Sequence, residues 1–211
     1  MKKKVLLLLV LALCLTATTA GTLAYFNDDV TAHNVITSGG VNIAIVEKQA
    51  VPGNDGTTEL KDFPKEGITG VMPGTSVSKI VKVKNTGASE AWIRVKVDAG
   101  ITSAPTEQNP NGAALSTSVM AYDIQSNDWE YKDGYYYYKQ PVASGELTAA
   151  LFNAVTFSKT MDNTYQNCTA NIEISAQAVQ TANNGATVLE AKGWPGDDTP
   201  VVPDTPDEEA E

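Results

Sequence analysis

Apolar and polar residues alternate with a period of two along most of the chain, and this pattern predicts β-strands. The clearest run spans residues 92–98, where Ile93, Val95 and Val97 alternate with larger or charged side chains. Further strands are predicted at residues 41–46, 77–84, 119–124, 152–157 and 170–179. No segment shows a sustained helical period beyond a turn or two at residues 186–191. Many short strands separated by Gly- and Pro-bearing turns predict an all-β, antiparallel, jelly-roll-like β-sandwich with long loops and little helix.

The segments between these strands predict turns of different kinds. Lys132-Asp133-Gly134 lies between the aromatic runs 129–131 and 135–138, and an Asp-Gly pair in such a position predicts a β-hairpin. Residues 85–89 are predicted to connect two neighbouring antiparallel strands. The longer segments 47–67 and 99–117 are predicted to be surface loops.

Residues 1–24 have the pattern of an export signal. Three lysines are followed by an apolar run, Val5 to Ala17, which is shorter than the roughly 20 residues of a membrane-spanning helix. Small residues at positions −3 and −1 fit cleavage by a signal peptidase after Ala20 or after Ala24, and the second cut leaves Tyr25 as the new N-terminus. The protein is therefore expected to be secreted, extracellular or on the cell surface, without stable membrane insertion after cleavage.

The charge of the chain restricts its partners. The formal net charge is −10, and loss of residues 1–24 removes three lysines and no acid, which leaves −13. Nucleic acid is excluded as an expected partner because its recognition requires a cationic surface. Residues 196–211 hold seven acids and three prolines. Since such a sequence buries little apolar surface, we predict a disordered acidic tail after a domain at residues 25–195.

The sequence offers little for catalysis or metal binding. His33 is the only histidine, which removes histidine-pair zinc sites and leaves a catalytic triad dependent on one residue near a new chain terminus. We expect a surface or turn role for His33, no catalytic residues, no metal and no cofactor, and hence no enzyme. Cys14 leaves with the signal, which makes Cys168 the only cysteine and excludes an intrachain disulfide. Cys168 is expected to be a small buried hydrophobe; a reactive thiol or an intermolecular disulfide is the alternative.

Aromatic residues are concentrated around the predicted hairpin. Trp129 and Tyr136 are candidates for glycan contact, which would make the protein an adhesin. Four consecutive tyrosines at 135–138 must divide between the two faces of a strand, two toward the core and two toward solvent. Packing in the core and across strands is the preferred interpretation.

Several local motifs resemble one family of exported bacterial proteins. The segment GTLAYFND at 21–28, with the later GGVNI at 39–43, is similar to the N-terminus of the TasA/camelysin family, whose members are processed by the signal peptidase SipW. Weaker similarities lie at 82–95, 133–138, 176–180 and 193–194. The resemblance implies a jelly-roll-like sandwich at the cell surface or in a biofilm matrix, fibre assembly in some members, and cleavage after Ala24. Camelysin has been described as a protease, but no catalytic set here matches one.

An extended N-terminal segment freed by cleavage predicts assembly by strand donation. A sandwich has open sheet edges, and such a segment can pair with the edge of a neighbouring subunit. Phe26, Val30, Val35 and Ile36 are the expected apolar anchors. The partners would be other copies of this chain in filaments, or other matrix proteins. In the alternative, the segment pairs within its own domain and the protein is a monomer.

Overall fold

The fold is a β-sandwich of two facing sheets, as the alternation predicts. The computed structural model describes residues 34–37, 41–64 and 72–197, and for residues 34–37 it describes the backbone. Its strands are β1 (Asn34–Thr37), β2 (Ile43–Pro52), β3 (Thr58–Asp62), β4 (Ser76–Asn85), β5 (Ala91–Thr102), β6 (Ala114–Leu115), β7 (Met120–Tyr122), β8 (Trp129–Lys132), β9 (Tyr135–Tyr138), β10 (Phe152–Phe157) and β11 (Thr169–Gln180). Two short 3₁₀ turns, Thr117–Val119 and Asn163–Tyr165, complete the elements.

The six-stranded sheet has the order β1-β11-β5-β9-β8, with β6 paired to the end of β5, and the five-stranded sheet has the order β3-β2-β4-β10-β7. All pairs are antiparallel except β1 with β11. The longest pair joins β5 to β11 over twelve residues, from Ala91 opposite Gln180 to Thr102 opposite Thr169. This long two-stranded ribbon is the scaffold of the six-stranded sheet.

The core lies between the two sheets and is filled by alternate residues of each strand. Val81 and Val83 of β4 face Ile93 and Val95 of β5, and all four are fully buried. Phe152 of β10 is equally buried. Each such side chain stabilises the fold by about 1.5–3 kcal/mol through loss of its contact with water. The period of two in the sequence therefore marks the inner face of the sandwich.

A second apolar cluster lies on the outer face of the six-stranded sheet. The segment of residues 181–197, here called the C-terminal strap, crosses this face. The prediction of a helix of one or two turns at residues 186–191 is wrong, since these residues form bends and a non-helical turn. The cluster contains Trp92, Tyr137, Val179, Val188, Ala191 and Trp194. β5 is consequently buried on both faces from Ala91 to Val95.

Both predicted surface loops contain strand structure. β2 continues to Pro52 and pairs with β3, and β5 continues to Thr102 and pairs with β6. All five residues of β3 are exposed, so this strand lacks the apolar alternation by which the other strands were predicted. Backbone pairing with β2 and the exposed ion pair between Lys48 and Asp62 place it at the edge of the sheet.

The connection at 85–89 joins the two sheets, because β4 belongs to one and β5 to the other; the prediction that it connects two neighbouring antiparallel strands is wrong. The buried side chain of Asn85 fixes this corner. Its Nδ2 donates to the carbonyl oxygens of Ser89 and Val142, each at 2.8 Å, and its Oδ1 accepts from the amide of Gly87 at 2.9 Å. Local sequence shows the turn but not which sheet the next strand joins.

The hairpin at the Asp-Gly pair is confirmed. Asp133 and Gly134 both have positive φ, 49° and 86°, as a type I′ turn requires, and β8 pairs with β9 from Trp129 opposite Tyr138 to Lys132 opposite Tyr135. The strand predicted at 119–124 is shorter than expected, and the one at 152–157 matches β10.

The tyrosines of β9 are divided between two apolar clusters. Tyr136 and Tyr138 pack against the core, as predicted. Tyr135 and Tyr137 do not face solvent as expected, because the C-terminal strap covers that face. The strap therefore turns what would be an exposed aromatic surface into a second buried layer.

Candidate functional site

The edge of the six-stranded sheet formed by β1 is the candidate site, because it involves the segment predicted to be a donor strand. β1 runs parallel to β11, with Val35 in register with Ala176 and Ile36 in register with Gln177. Val35 and Ile36 thus pair within their own domain, which is the alternative that the sequence left open. Phe26, Val30, His33 and the cleavage positions Ala24 and Tyr25 lie outside the described residues.

β11 is the strand that receives β1. One side of β11 is paired with β5 along its whole length, whereas the register with β1 covers only Ser175 to Ala178. Ala176 and Ala178 point into the core and are fully buried. Without β1, the backbone N–H and C=O groups on this side of residues 175–178 would lose their partners, so this stretch is a natural acceptor for an extended strand.

The connection from β1 to β2 crosses from one sheet to the other. β1 ends at Thr37 and β2 begins at Ile43. Val41 is buried in the core, and the carbonyl oxygen of Asn42 accepts from the amides of Thr86 and Gly87 at 2.8 and 2.9 Å. The chain is therefore fixed at Val41 and Asn42. Residues 38–40, Ser-Gly-Gly, lie outside the described part, and their two glycines carry no Cβ to restrict the backbone.

Arg94 of β5 contacts β11, the strand next to the edge strand β1, through its side chain. Its Nε donates to Gln177 Oε1 at 2.7 Å, and both side chains are buried. Gln177 is the same residue that stands in register with Ile36 of β1. Three neighbouring strands are thus joined at the position of Gln177. β1 is paired with β11 through the backbone, and β11 is joined to β5 through both backbone pairing and the Arg94–Gln177 hydrogen bond.

The C-terminal strap encloses the same guanidinium from outside. Arg94 Nη2 and Nη1 donate to the two carboxylate oxygens of Asp197 at 2.9 and 3.3 Å. The guanidinium carbon lies 4.0 Å from the ring centroid of Tyr135 and 4.7 Å from that of Trp194, which are cation–π distances. Burial lowers the pKa of Arg94, but hydrogen bonds to Asp197 and Tyr137 outweigh it and hold the pKa above its ordinary value.

Asp197 and Gly196 fall in the segment assigned to the tail from the sequence. Asp197 instead contacts the domain through Arg94, and the described chain ends there. Residues 198–211 lie outside the described part.

The proposed glycan contacts are placed differently from each other. Trp129 is only 2% exposed, and its Nε1 donates to the carbonyl oxygen of Ala150 at 3.0 Å. Trp129 therefore offers no surface contact; its indole fills the core, as the preferred interpretation predicts. Tyr136 is half-buried and its ring lies 4.9 Å from that of Tyr131, which is 64% exposed.

Other chemistry-bearing groups do not come together in the described ranges. No cluster of three or more metal-ligating side chains is found there. Cys168 is a buried free thiol, as expected for a small hydrophobe, and burial raises its pKa to about 11. Over the same ranges, no helix combines the length and the apolar character needed to cross a bilayer.

A buried ion pair inside the sandwich was missed by sequence analysis. Glu47 of β2 and Lys79 of β4 lie at positions whose side chains point inward, like those of the apolar residues two positions away on each strand. Lys79 Nζ lies 3.0 Å from Glu47 Oε1. The ammonium also lies 3.8 Å from the centre of the Phe63 ring. The contact lacks hydrogen-bond geometry, so within the described part the ammonium is held by charge and by the ring. Charged residues at inward positions of two paired strands were the available signal.

The interaction around Arg94 also could not be recognised from sequence. For a single arginine in a strand of alternating apolar and polar residues, the pattern predicts an outward side chain in contact with solvent. Its partners Gln177 and Asp197 lie 83 and 103 residues away along the chain.

Comparison of the chain with protein-family models, with curated proteins and with solved structures finds no match.

Proposed function

We propose that the protein is a secreted structural subunit of the cell surface or biofilm matrix that polymerises by exchange of its N-terminal strand. The observation that supports this most directly is the position of β1. It lies at the edge of the six-stranded sheet, yet it is attached to the opposite sheet through residues 38–42. A strand with that attachment can leave its own sheet and enter the equivalent place in a neighbour.

Exchange costs little in contacts, because the pairing lost within one subunit is regained in another. The same four residues of β1 would meet the same Ser175 to Ala178 of β11. The balance then depends on strain in the short crossover and on protein concentration. A short connection between the exchanged strand and the rest of its subunit favours exchange.

The geometry of exchange determines the form of the assembly. The donated strand is at the N-terminus and the acceptor strand is β11, so each subunit presents two different surfaces. Such a head-to-tail contact is heterologous and gives open filaments where the rotation does not close into a ring. Removal of residues 1–24 would free the donor, with Phe26 and Val30 as additional anchors, and would make export the trigger for assembly.

The first test compares two purified forms of the protein. One begins at Tyr25, and the other lacks residues 25–36. We expect filaments from the first form and none from the second, by electron microscopy and light scattering. Equal filament formation by both would exclude strand donation.

The second test fixes β1 to its own β11. Val35 and Ala176 stand in register, so Val35→Cys with Ala176→Cys, in a Cys168→Ser background, should allow a disulfide between neighbouring backbones. We expect the oxidised protein to form no filaments and to form them once reduced. When filaments are oxidised after assembly, the disulfide should join two chains on a denaturing gel. A disulfide found only within single chains of such filaments would contradict exchange, and the Cys168→Ser form alone is the control.

A second candidate function rests on the exposed ring of Tyr131 beside Tyr136. Such a pair of rings can stack on a sugar, so a glycan-binding adhesin remains the alternative. Tyr131→Ala or Tyr136→Ala should weaken retention on polysaccharide at least about fivefold, the scale of one aromatic contact. Unchanged retention by both variants, or no retention by the original protein, would remove this alternative.

A further inference from the structure

The outer face of the five-stranded sheet carries an open groove of about 330 Å³. Its lining combines exposed aliphatic side chains with two lysines: Val46, Lys48, Leu60, Ile80, Lys82, Leu147, Ala150 and Asn153. Leu60 and Leu147 are 59% and 44% exposed, whereas the other leucines in the part of the chain that the structure describes are largely covered. The groove is a surface at which apolar area remains in contact with water.

The lysines of the groove are set among the aliphatic residues by the strand register. Lys82 of β4 lies opposite Val46 of β2, and Lys48 of β2 lies opposite Ile80 of β4. Lys48 is paired with Asp62 at 2.5 Å. Lys82 has no ion pair with any residue in the described ranges. Within those ranges the groove thus carries one lysine without an ion pair among its apolar side chains, which in a chain of net charge −10 fits an acidic segment that also carries apolar residues.

We propose that this groove binds residues 198–211 of a neighbouring copy of the chain. That segment, DTPVVPDTPDEEAE, holds six acids and no basic residue, and it places Val201 and Val202 among them. Its prolines recur at positions 200, 203 and 206, the spacing of one polyproline turn. Prolines reduce the conformational freedom that is lost on binding, so a short segment can bind a shallow groove.

The donor of this segment must be another copy because the two valines cannot reach the groove of their own domain. Asp197 is fixed to Arg94 on the outer face of the six-stranded sheet, and the groove lies on the outer face of the other sheet. Facing sheets are about 10 Å apart, and the side chains on both outer faces bring the separation to at least about 20 Å. Val201 and Val202 are four and five residues beyond Asp197 and reach at most about 14 and 18 Å.

The experiment is carbodiimide cross-linking of the whole protein, mixed from equal parts of unlabelled and ¹⁵N-labelled copies. The reagent joins a lysine to a carboxylate in direct contact, and mass spectrometry reports whether the joined peptides come from different copies. We expect mixed-isotope products that link Lys82 or Lys48 to an acid of residues 198–211. Products of a single isotope only, or no product at the groove, would overturn the proposal.

A matched charge reversal provides the control. Lys82→Glu should reduce the remaining Lys48 product at least about fivefold, because it repels the acidic segment. Lys132→Glu makes the same change on the exposed β8–β9 hairpin and should leave the Lys48 product unchanged. Equal effects of the two variants would show non-specific attraction and would overturn the proposal. Repeating the measurement on the chain with the 35–176 disulfide separates this contact from strand exchange, since the disulfide blocks only the latter.

Discussion

Arg94 and Asp197 form a two-point ion pair that fastens the C-terminal strap to the outer face of the six-stranded sheet, with N···O distances of 2.9 and 3.3 Å. The pair lies over the residue of β11 that stands in register with β1. The strap and the donor strand therefore share one support, although they lie at opposite ends of the sequence.

Replacement of Arg94 should destabilise the domain through loss of this support. Arg94→Met leaves the acceptor of Gln177 and the hydroxyl of Tyr137 without their donor, and we expect a loss of about 2–3 kcal/mol in the free energy of unfolding. Lys96→Met, which breaks the exposed pair with Asp98 on the same strand, should cost at most about 0.5 kcal/mol. Urea unfolding followed by tryptophan fluorescence gives both values, and equal losses would contradict the role assigned to Arg94.

The buried pair of Glu47 and Lys79 should behave unlike a surface pair. Lys79→Met leaves the Glu47 carboxylate buried without its counter-charge, and we expect a loss of about 3–5 kcal/mol. The double change Glu47→Leu with Lys79→Met removes both charges and should recover most of that loss. A double-mutant cycle by urea unfolding measures the coupling, and Lys61→Met at the exposed pair with Glu59 is the control. Additive losses would show that the two charges do not interact.

The thiol of Cys168 should be inert in the folded protein. Burial raises its pKa to about 11, so the thiolate fraction at pH 8 is roughly one in a thousand. We expect negligible reaction with a thiol reagent at pH 8 and complete reaction in urea. An exposed cysteine introduced as Thr160→Cys is the positive control. Rapid labelling of Cys168 in the native protein would show that its thiol is accessible to solvent, which contradicts its burial.

The same shift predicts a stability change at alkaline pH. The folded thiol keeps its proton up to about pH 11, whereas the unfolded thiol loses it near its ordinary value of 9.0. The folded state therefore binds more protons between these values, and stability should fall as the pH rises from about 9 to 11. Cys168→Ser should show a smaller fall over that interval in urea unfolding. Parallel curves for the two forms would contradict a thiol contribution.

Gly134 is required by the backbone of the hairpin turn. Its φ is 86°, and an added Cβ would meet no atom within 4 Å, so Gly134→Ala tests conformation without steric overlap. We expect a loss of about 1 kcal/mol in thermal or urea unfolding. Gly100→Ala in β5 has equal space and no positive φ, and it should be neutral or slightly stabilising. A neutral result for Gly134→Ala would contradict the type I′ turn.

Sequence analysis predicted the elements that have strong local signals. β4, β5, β10 and β11 follow from alternation, and the β8–β9 hairpin follows from its Asp-Gly pair. It missed β3, because an edge strand exposed on all sides needs no apolar period. The candidate site was predicted only in part. Val35 and Ile36 were selected as anchors, but neither their register on β11 nor the Arg94–Gln177 support behind it has a local signature.

By itself, the sequence determined that this chain forms a β-sandwich, because the period of two specifies which side of each strand leaves water. It also determined an acidic surface and a chain with a single histidine. Tertiary structure decided which strands are neighbours, since hydrogen bonds between backbones are the same for any pair and the choice depends on packing of the whole core. For the same reason only the fold could bring Asp197 to Arg94, and β1 to the open side of β11.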